Sequence, residues 1–162
     1  MKPCKKIALL TLLVFMSSSA LAINRVSRLG LGYTGQFATG LDAISFKIHK
    51  SRNSAFGGAF GYNSNDTGGY AGGLKFYRNF FEEPQLHFYG AAFAGLLNQK
   101  YSNGESETGF QIDVTLGAEF HFVGLDSLAF SVETGVSAHK VSDFEFGTTG
   151  SQFIIGSFHF YL

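Results

Sequence analysis

Apolar and polar residues alternate without interruption through residues 109–122, GFQIDVTLGAEFHF. Every second position from Phe110 to Phe122 is apolar, and the positions between them carry Gln, Asp, Thr, Gly, Glu and His. A period of two over this length indicates a β-strand with one apolar and one polar face. One strand does not decide which of the two faces points outward.

Similar alternating stretches, separated by polar or glycine-containing turns, continue to the last residue, and no helical periodicity follows Ala22. The pattern predicts eight strands, at 27–37, 43–50, 55–62, 69–78, 85–97, 109–122, 127–138 and 151–162. Closing such a meander into a barrel leaves no free edge. We therefore predict an all-β fold, an eight-stranded antiparallel up-and-down barrel.

The contents of the two faces predict which one is the exterior. The polar face consists mainly of Gly, Ala, Ser and Thr with isolated charges, whereas the surface of a soluble barrel would be rich in Lys and Glu. The interior of an eight-stranded barrel is only wide enough for side chains to fill it, which favours small residues inside and large residues outside. We therefore predict a transmembrane β-barrel, and a secreted lipocalin-like ligand barrel is the alternative.

Aromatic residues near the strand ends support the transmembrane interpretation. Two aromatic girdles around an aliphatic belt are typical of barrels in a bilayer. The outward aromatic residues are predicted to be Phe37, Tyr62 and Tyr70 near one end, and Phe76, Phe88, Phe120, Phe122 and Phe160 near the other.

Composition supports the same prediction. Charged residues make up 15% of the chain, against about 25% in an ordinary soluble domain, while 19 Phe, 7 Tyr and 21 Gly are present among 162 residues. A soluble protein with this composition would have difficulty covering its surface with polar groups.

The first 22 residues have the three-part layout of a secretory signal. Lysines at positions 2, 5 and 6 precede the apolar run IALLTLLVFM, and Ala20-Leu21-Ala22 provides a small-x-small cleavage site. The run is too short for a membrane-spanning helix, which needs roughly 20 apolar residues. We predict a cleavable signal peptide at 1–22 and a barrel at 23–162.

Cleavage would change the charge and the redox chemistry of the protein. It removes Cys4, so the mature chain would contain no cysteine and no disulfide. It also removes three of the twelve basic residues, and the nine that remain against twelve acidic ones give a net charge of −3. This balance argues against a nucleic-acid partner.

The signal peptide, the eight alternating strands and the final GSFHFYL stretch, with aromatics at alternate positions, together resemble small outer-membrane barrels of the OmpA/OmpX type. The resemblance covers residues 23–162 and implies a monomer in the outer membrane, with no cofactor. Its partners would be outer-membrane lipids and, during insertion, the barrel-assembly machinery. The chain departs from the family at Leu162, because the family usually ends in an aromatic residue, most often Phe.

The family topology also implies an orientation, with both chain ends in the periplasm. Periplasmic turns are then expected at 51–54, 79–84 and 123–127, and external loops at 38–42, 63–68, 98–108 and 139–150. These loops are short, so a large adhesive or receptor surface is not expected.

Ionisable residues on the inward face form the predicted site. Charges in a narrow interior must be paired, because burying an unpaired charge costs several kcal/mol. We expect a structural cluster formed by Lys47, Lys75, Asp113, Glu119, His121, Glu133 and His159, with His49 and His87 nearby. In this cluster the lysines would neutralise Glu119 and Glu133.

The same interior is predicted to hold no open pore. Four inward apolar or aromatic residues would fill the space that the charged pairs leave: Tyr89, Phe93, Phe153 and Ile155. A proton or ion pathway is one alternative. Another is a metal site formed by Glu119, His121 and His159, but no HxH or HExxH spacing supports it.

An enzyme that modifies lipid A is the third alternative, because such chemistry on a small outer-membrane barrel needs a serine activated by a histidine. His49-Lys50-Ser51 has the His-x-Ser spacing of the lipid A deacylases, but lies at a predicted periplasmic turn. A second candidate, with the reverse order, combines Ser137 and His139 with Asp143 or Glu145. Three-residue matches arise by chance, so we predict no catalytic residues and no enzyme.

Overall fold

The computed structural model describes residues 26–65, 67–149 and 153–162; the predicted signal peptide at 1–22 lies outside them. The described chain is all-β. Its strands are β1 (Leu29–Thr34), β2 (Ala43–His49), β3 (Ser54–Asn63), β4 (Gly69–Glu83), β5 (Leu86–Lys100), β6 (Ser106–Phe122), β7 (Leu125–Lys140), β8 (Phe144–Thr148) and β9 (Ile155–Tyr161). Among these residues, no helix is long and apolar enough to cross a membrane.

Hydrogen bonding between neighbouring strands closes the sheet into a barrel. Each strand from β1 to β7 pairs antiparallel with the next, and β9 pairs with both β1 and β7. Strand β9 pairs with residues 128–133 of β7, and β8 pairs with residues 136–140 of the same strand. Strands β8 and β9 lie one after the other along the same edge of β7, so together they occupy one strand position. The closed barrel therefore has eight strand positions. The predicted fold class is confirmed.

The two ends of the barrel differ in their connections. One end carries the short connections 50–53, 84–85 and 123–124, and we call it the turn end. The other end carries the connections 35–42, 64–68, 101–105 and 141–143, and we call it the loop end.

Several strands extend further than the alternation predicts. The predicted turn at 79–84 is mostly strand, because β4 runs to Glu83 and only residues 84–85 connect it to β5. A β-bulge between Asn79 and Phe81 inserts Phe80 into β4 and interrupts the alternation there. Ladder hydrogen bonds continue past such an interruption, whereas the sequence pattern does not. At the loop end, β8 occupies part of the predicted loop 139–150.

The predicted partition of side chains between exterior and interior is found along the strands. Outward residues such as Ile44, Leu74 and Leu116 are 74%, 70% and 64% exposed. The inward residues of the same strands are buried, as the alternating burial of β2 and β9 illustrates. Large apolar side chains therefore cover the outer wall, and polar or small side chains occupy the interior.

Two aromatic residues lie on the opposite side of the barrel wall from the predicted one. Phe37 was predicted to face outward, but β1 ends at Thr34 and the chain then bends, so that the Phe37 ring packs edge-on against Phe93 inside the barrel, 5.8 Å between centroids. Phe153 was predicted to point inward, but it precedes β9 and is 65% exposed on the outside. Both residues lie beyond the strand ends, where alternation no longer determines direction.

Gly32 lies in the seam that closes the barrel, opposite His159 in the β1–β9 ladder. A Cβ atom at Gly32 would overlap the carbonyl oxygen of Phe158, a backbone atom that moves only if the two strands separate. We expect Gly32→Ala to lower the free energy of unfolding by about 1–3 kcal/mol, the usual cost of overpacking. Urea unfolding in detergent micelles measures this change.

Gly156 provides the control, because it lies on β9 at the end of the same seam, where its carbonyl oxygen accepts from Gly35 N, and has open space where a Cβ would be placed. Gly156→Ala should therefore leave the unfolding midpoint nearly unchanged. Equal losses of stability in the two variants would contradict a steric role for Gly32.

Candidate functional site in the barrel interior

The charged interior residues come from strands on different sides of the barrel. Lys47 lies on β2 and Lys75 on β4, while Glu119 lies on β6 and Glu133 on β7. Each side chain faces inward because of the strand alternation, and at most 6% of each of these four is exposed. The structure brings these residues together across the lumen, as two ion pairs.

Glycine makes room for these long side chains. A Cβ atom at Gly117 of β6 would lie 2.7 Å from both Cγ of Glu133 and the ring of Tyr89. The interior face of β6 is therefore left without a side chain at the position where Glu133 and Tyr89 pack.

The ion pair near the turn end centres on Glu119. Lys47 Nζ donates to Glu119 Oε2 over 2.7 Å, and the Tyr161 hydroxyl donates to the same oxygen over 3.2 Å. His121 Nε2 lies 3.3 Å from Glu119 Oε1, and His49 Nε2 lies 3.2 Å from the Tyr161 hydroxyl. We call these five residues the Glu119 group.

The second ion pair lies nearer the middle of the barrel and centres on Glu133. Lys75 Nζ donates to Glu133 Oε2 over 2.6 Å. Thr115 Oγ1 donates to the same oxygen over 2.8 Å, and the Tyr89 hydroxyl donates to Oε1 over 2.9 Å. Lys75, Tyr89, Thr115 and Glu133 form the Glu133 group, in which both carboxylate oxygens accept hydrogen bonds.

Tyrosine rings pack against both ammonium groups. Lys47 Nζ lies 4.4 Å from the centroid of the Tyr77 ring and 4.7 Å from that of Tyr89. Lys75 Nζ lies 5.4 Å from the Tyr77 centroid. These distances are within the range of cation–π attraction, so Tyr77 stabilises both ammonium groups without adding a charge.

Asp113 lies closer to the loop end and belongs to neither ion pair. Its Oδ2 accepts a hydrogen bond from the Gln36 side-chain amide and another from Gln111 Nε2, at 2.7 Å for the latter. Gln36 also accepts a hydrogen bond from Lys75 through Oε1, which links Asp113 to the Glu133 group.

An apolar cluster fills part of the barrel interior nearer the loop end. It consists of Phe37, Ala43, Ala59, Ala71, Phe93 and Leu97, all of them buried. The interior is thus charged and hydrogen-bonded near the turn end, and toward the loop end it contains both this hydrocarbon and the hydrogen-bonded side chains of Gln36, Gln111 and Asp113.

His159 and His87, the remaining inward histidines of the prediction, have separate contacts. His159 Nε2 lies 2.9 Å from Ser45 Oγ. His87 Nδ1 lies 3.7 Å from Glu82 Oε1, and the His87 ring packs edge-on against His121 at 5.7 Å. The alternative metal site combined His159 with Glu119 and His121. Within the described ranges, no three His, Cys, Asp or Glu side chains are grouped so that they could hold a metal ion.

The candidate catalytic residues point into the lumen or lie in a turn. His49 is buried in the Glu119 group, while Ser51 lies in the 50–53 turn, where its Oγ is 2.8 Å from Ser54 Oγ. In the second set, His139 Nε2 lies 3.4 Å from Glu145 Oε2 at the loop end, and Ser137 is 1% exposed on the inner wall.

Several members of the interior groups were not singled out from the sequence. Tyr77 and Tyr161 follow Lys75 and His159 by two residues, so continuing the inward alternation of β4 and β9 would have found them. Gln36 lies beyond the end of β1, and no periodic signal marks its contact with Asp113.

No protein-family model matches this chain, and no curated protein sequence matches it. Its fold is similar to the crystal structure of the N-terminal β-barrel domain of Pseudomonas aeruginosa OprF, with a TM-score of 0.59. The match covers 83% of this chain and 96% of that chain, at 12% sequence identity. The likeness confirms the resemblance to OmpA-like eight-stranded barrels at the level of the fold.

Proposed function

We propose that this protein is an integral outer-membrane β-barrel with a structural role in the Gram-negative cell envelope. The observation that carries the proposal is the apolar outer wall. A soluble monomer rarely exposes a contiguous apolar patch larger than about 300–600 Å². Here outward aliphatic residues include Ile44 on β2, Leu74 on β4, Leu96 on β5 and Val114 on β6, and each of these four is at least 59% exposed. Bilayer hydrocarbon accommodates such a surface without the cost of hydrating it.

In the proposed orientation the turn end faces the periplasm and the loop end faces outward, because longer connections usually lie outside in these barrels. Outer-membrane lipids would surround the apolar wall, and the barrel-assembly machinery would insert the chain as a monomer. Fractionation tests this proposal. The protein should be found in the outer-membrane fraction and should migrate differently on a gel before and after heating. A protein that is soluble in the periplasm would contradict the proposal.

Val114→Arg tests the depth dependence that a bilayer imposes. Val114 points outward on β6 between Phe110 and Phe120. An outward arginine near the bilayer midplane costs about 2–4 kcal/mol, whereas one near the interface costs about 0–1 kcal/mol. We therefore expect Val114→Arg to lower the free energy of unfolding in lipid vesicles by 2–4 kcal/mol on this scale, measured by urea titration.

Phe122→Arg is the control, because Phe122 is outward on the same strand but at its turn end. Phe122→Arg should lower the free energy of unfolding much less than Val114→Arg does. A barrel in water would tolerate both changes, since both side chains are more than half exposed, so two negligible effects would contradict the membrane proposal.

We also propose that the lumen is closed. The Glu119 group, the Glu133 group and the apolar cluster are all buried inside the barrel, and their side chains occupy the interior. In planar lipid bilayers, with a trimeric porin as the positive control, we expect no stable large conductance. Reproducible large steps from the folded protein would contradict a closed lumen and favour the ion-pathway alternative.

A further inference from the structure

An open apolar groove lies on the outer wall of the barrel, across β5, β6 and β7. It has a volume of about 540 Å³, within the range of about 300–1,000 Å³ that is usual for small-molecule sites. Its lining is mainly apolar and includes Phe80, Phe88, Leu116, Val132, Phe153 and Ile154. The groove is not part of the lumen, because most of the residues that line the groove point away from the barrel interior.

Irregular backbone positions the two sides of the groove. On one side, the β-bulge of β4 places Phe80 over Gly90 of β5, where a Cβ atom would come within 2.8 Å of the Phe80 ring. On the other side, Thr134 Oγ1 of β7 donates a 3.1 Å hydrogen bond to the carbonyl oxygen of Phe153. Each side thus consists of an aromatic residue that lies outside the regular alternation of the strands.

A small side chain forms the floor of the groove and leaves space between its larger neighbours. Ala118 lies on β6 between the outward side chains of Leu116 and Phe120, and all three line the groove. Four strand steps at about 3.3–3.4 Å each separate Leu116 from Phe120, a distance of about 13 Å along β6. The groove is therefore elongated and suits an extended chain.

The chemistry of the lining indicates a hydrocarbon occupant. The polar side chains that reach it, Tyr89, Glu133 and Thr134, already have partners. The Tyr89 hydroxyl donates to Glu133, which also accepts from Lys75 and Thr115, and the Thr134 hydroxyl donates to the Phe153 carbonyl oxygen. A sugar or a peptide would therefore bury its own polar groups in the groove without compensation, which is costly. The groove also opens directly onto the apolar wall that the proposed function places in the bilayer.

We propose that the groove binds one acyl chain of a phospholipid from the periplasmic leaflet, an inference that rests on the proposed function. Phe88 and Phe120 lie near the turn end, and Leu116 lies near the middle of β6. The groove therefore spans the half of the barrel assigned to the periplasmic leaflet. The acyl chain fills the floor above Ala118, between Phe80 and Phe153.

Native mass spectrometry of the protein, folded in detergent micelles and titrated with phosphatidylethanolamine carrying deuterated palmitoyl chains, tests the proposal. The unchanged protein should retain one lipid. Ala118→Leu raises the floor and should weaken retention about tenfold, whereas Phe80→Ala should weaken it by removing one side. Ala94→Leu is the matched control, because Ala94 is outward on β5 and does not line the groove.

Heat-modifiable gel mobility establishes that each variant is folded before its lipid retention is compared. Equal retention by Ala118→Leu and Ala94→Leu, or no retention by the unchanged protein, would overturn the proposal. A dimer that Ala118→Leu abolishes would also overturn it, by identifying a second copy as the occupant. If the protein fractionates with the outer membrane but retains no lipid, the groove proposal alone fails. If it is soluble, the proposed function fails as well.

Discussion

Glu119→Gln is expected to lower the free energy of unfolding by about 3–5 kcal/mol, the usual cost of removing one partner from a buried ion pair. The substitution keeps the size of the side chain and its hydrogen-bonding oxygen but leaves the Lys47 ammonium group without its counter-charge. Lys47 is 2% exposed, so water does not replace the lost carboxylate. Urea unfolding of the refolded barrel in lipid vesicles measures the change.

Glu105→Gln is the surface control for this prediction. Glu105 lies in the exposed 101–105 connection, where its carboxylate accepts one hydrogen bond from Asn103 Nδ2 and no ion pair is formed within the described residues. Exposed charges contribute about 0–1 kcal/mol, so this variant should unfold almost like the unchanged protein. Equal and negligible effects from the two substitutions would show that Glu119 is solvated rather than sealed in the lumen.

Alternation alone predicted the barrel, because a period of two assigns each residue of a strand to one of two faces. Along β6 this assignment places Val114 outward and Asp113 inward without any knowledge of the neighbouring strands. The contents of the two faces then favour a membrane barrel over a soluble one. Both steps use local information, which a single sequence contains.

Features that depend on the ends of strands could not be predicted in this way. Phe37 and Phe153 lie outside regular strands, and their directions depend on how the chain bends against the rest of the barrel. The bulge at Phe80 likewise appears only in the pairing of β4 with β5. For these residues, tertiary contacts rather than periodicity determine which side of the wall they occupy.

The sequence predicted that the two interior lysines neutralise Glu119 and Glu133, but not which lysine meets which glutamate. Inward phase identifies Lys47 and Glu119 as interior residues, but they are 72 positions apart and lie on opposite strands. Which residues meet across a lumen depends on the tilt and stagger of the strands, which a sequence pattern does not specify. The pairing of Lys47 with Glu119, and of Lys75 with Glu133, therefore required the three-dimensional structure.

Lys75→Met combined with Glu133→Gln should be far more stable than Glu133→Gln alone. The single variant leaves the Lys75 ammonium group buried without its carboxylate and should cost about 3–5 kcal/mol. The single oxygen of glutamine can replace Oε1, which accepts from Tyr89, or Oε2, which accepts from Thr115, but not both. The lost hydrogen bond adds about 0.5–1.5 kcal/mol, less than the loss of the counter-charge. Adding Lys75→Met removes the unpaired charge, and we expect the double variant to recover most of the lost free energy, since neutral replacements of buried pairs are often tolerated.

Lys47→Met in the Glu133→Gln background distinguishes a specific pair from a general effect of charge. Lys47 donates to Glu119 rather than to Glu133, so removing it should add a second loss instead of restoring stability. Urea titrations of the single and double variants give the coupling free energy, which is expected to be large and favourable for Lys75 alone. Equal rescue by the two lysine substitutions would mean that the interior responds to its total charge, and that the Lys75–Glu133 contact has no separate role in stabilising the barrel.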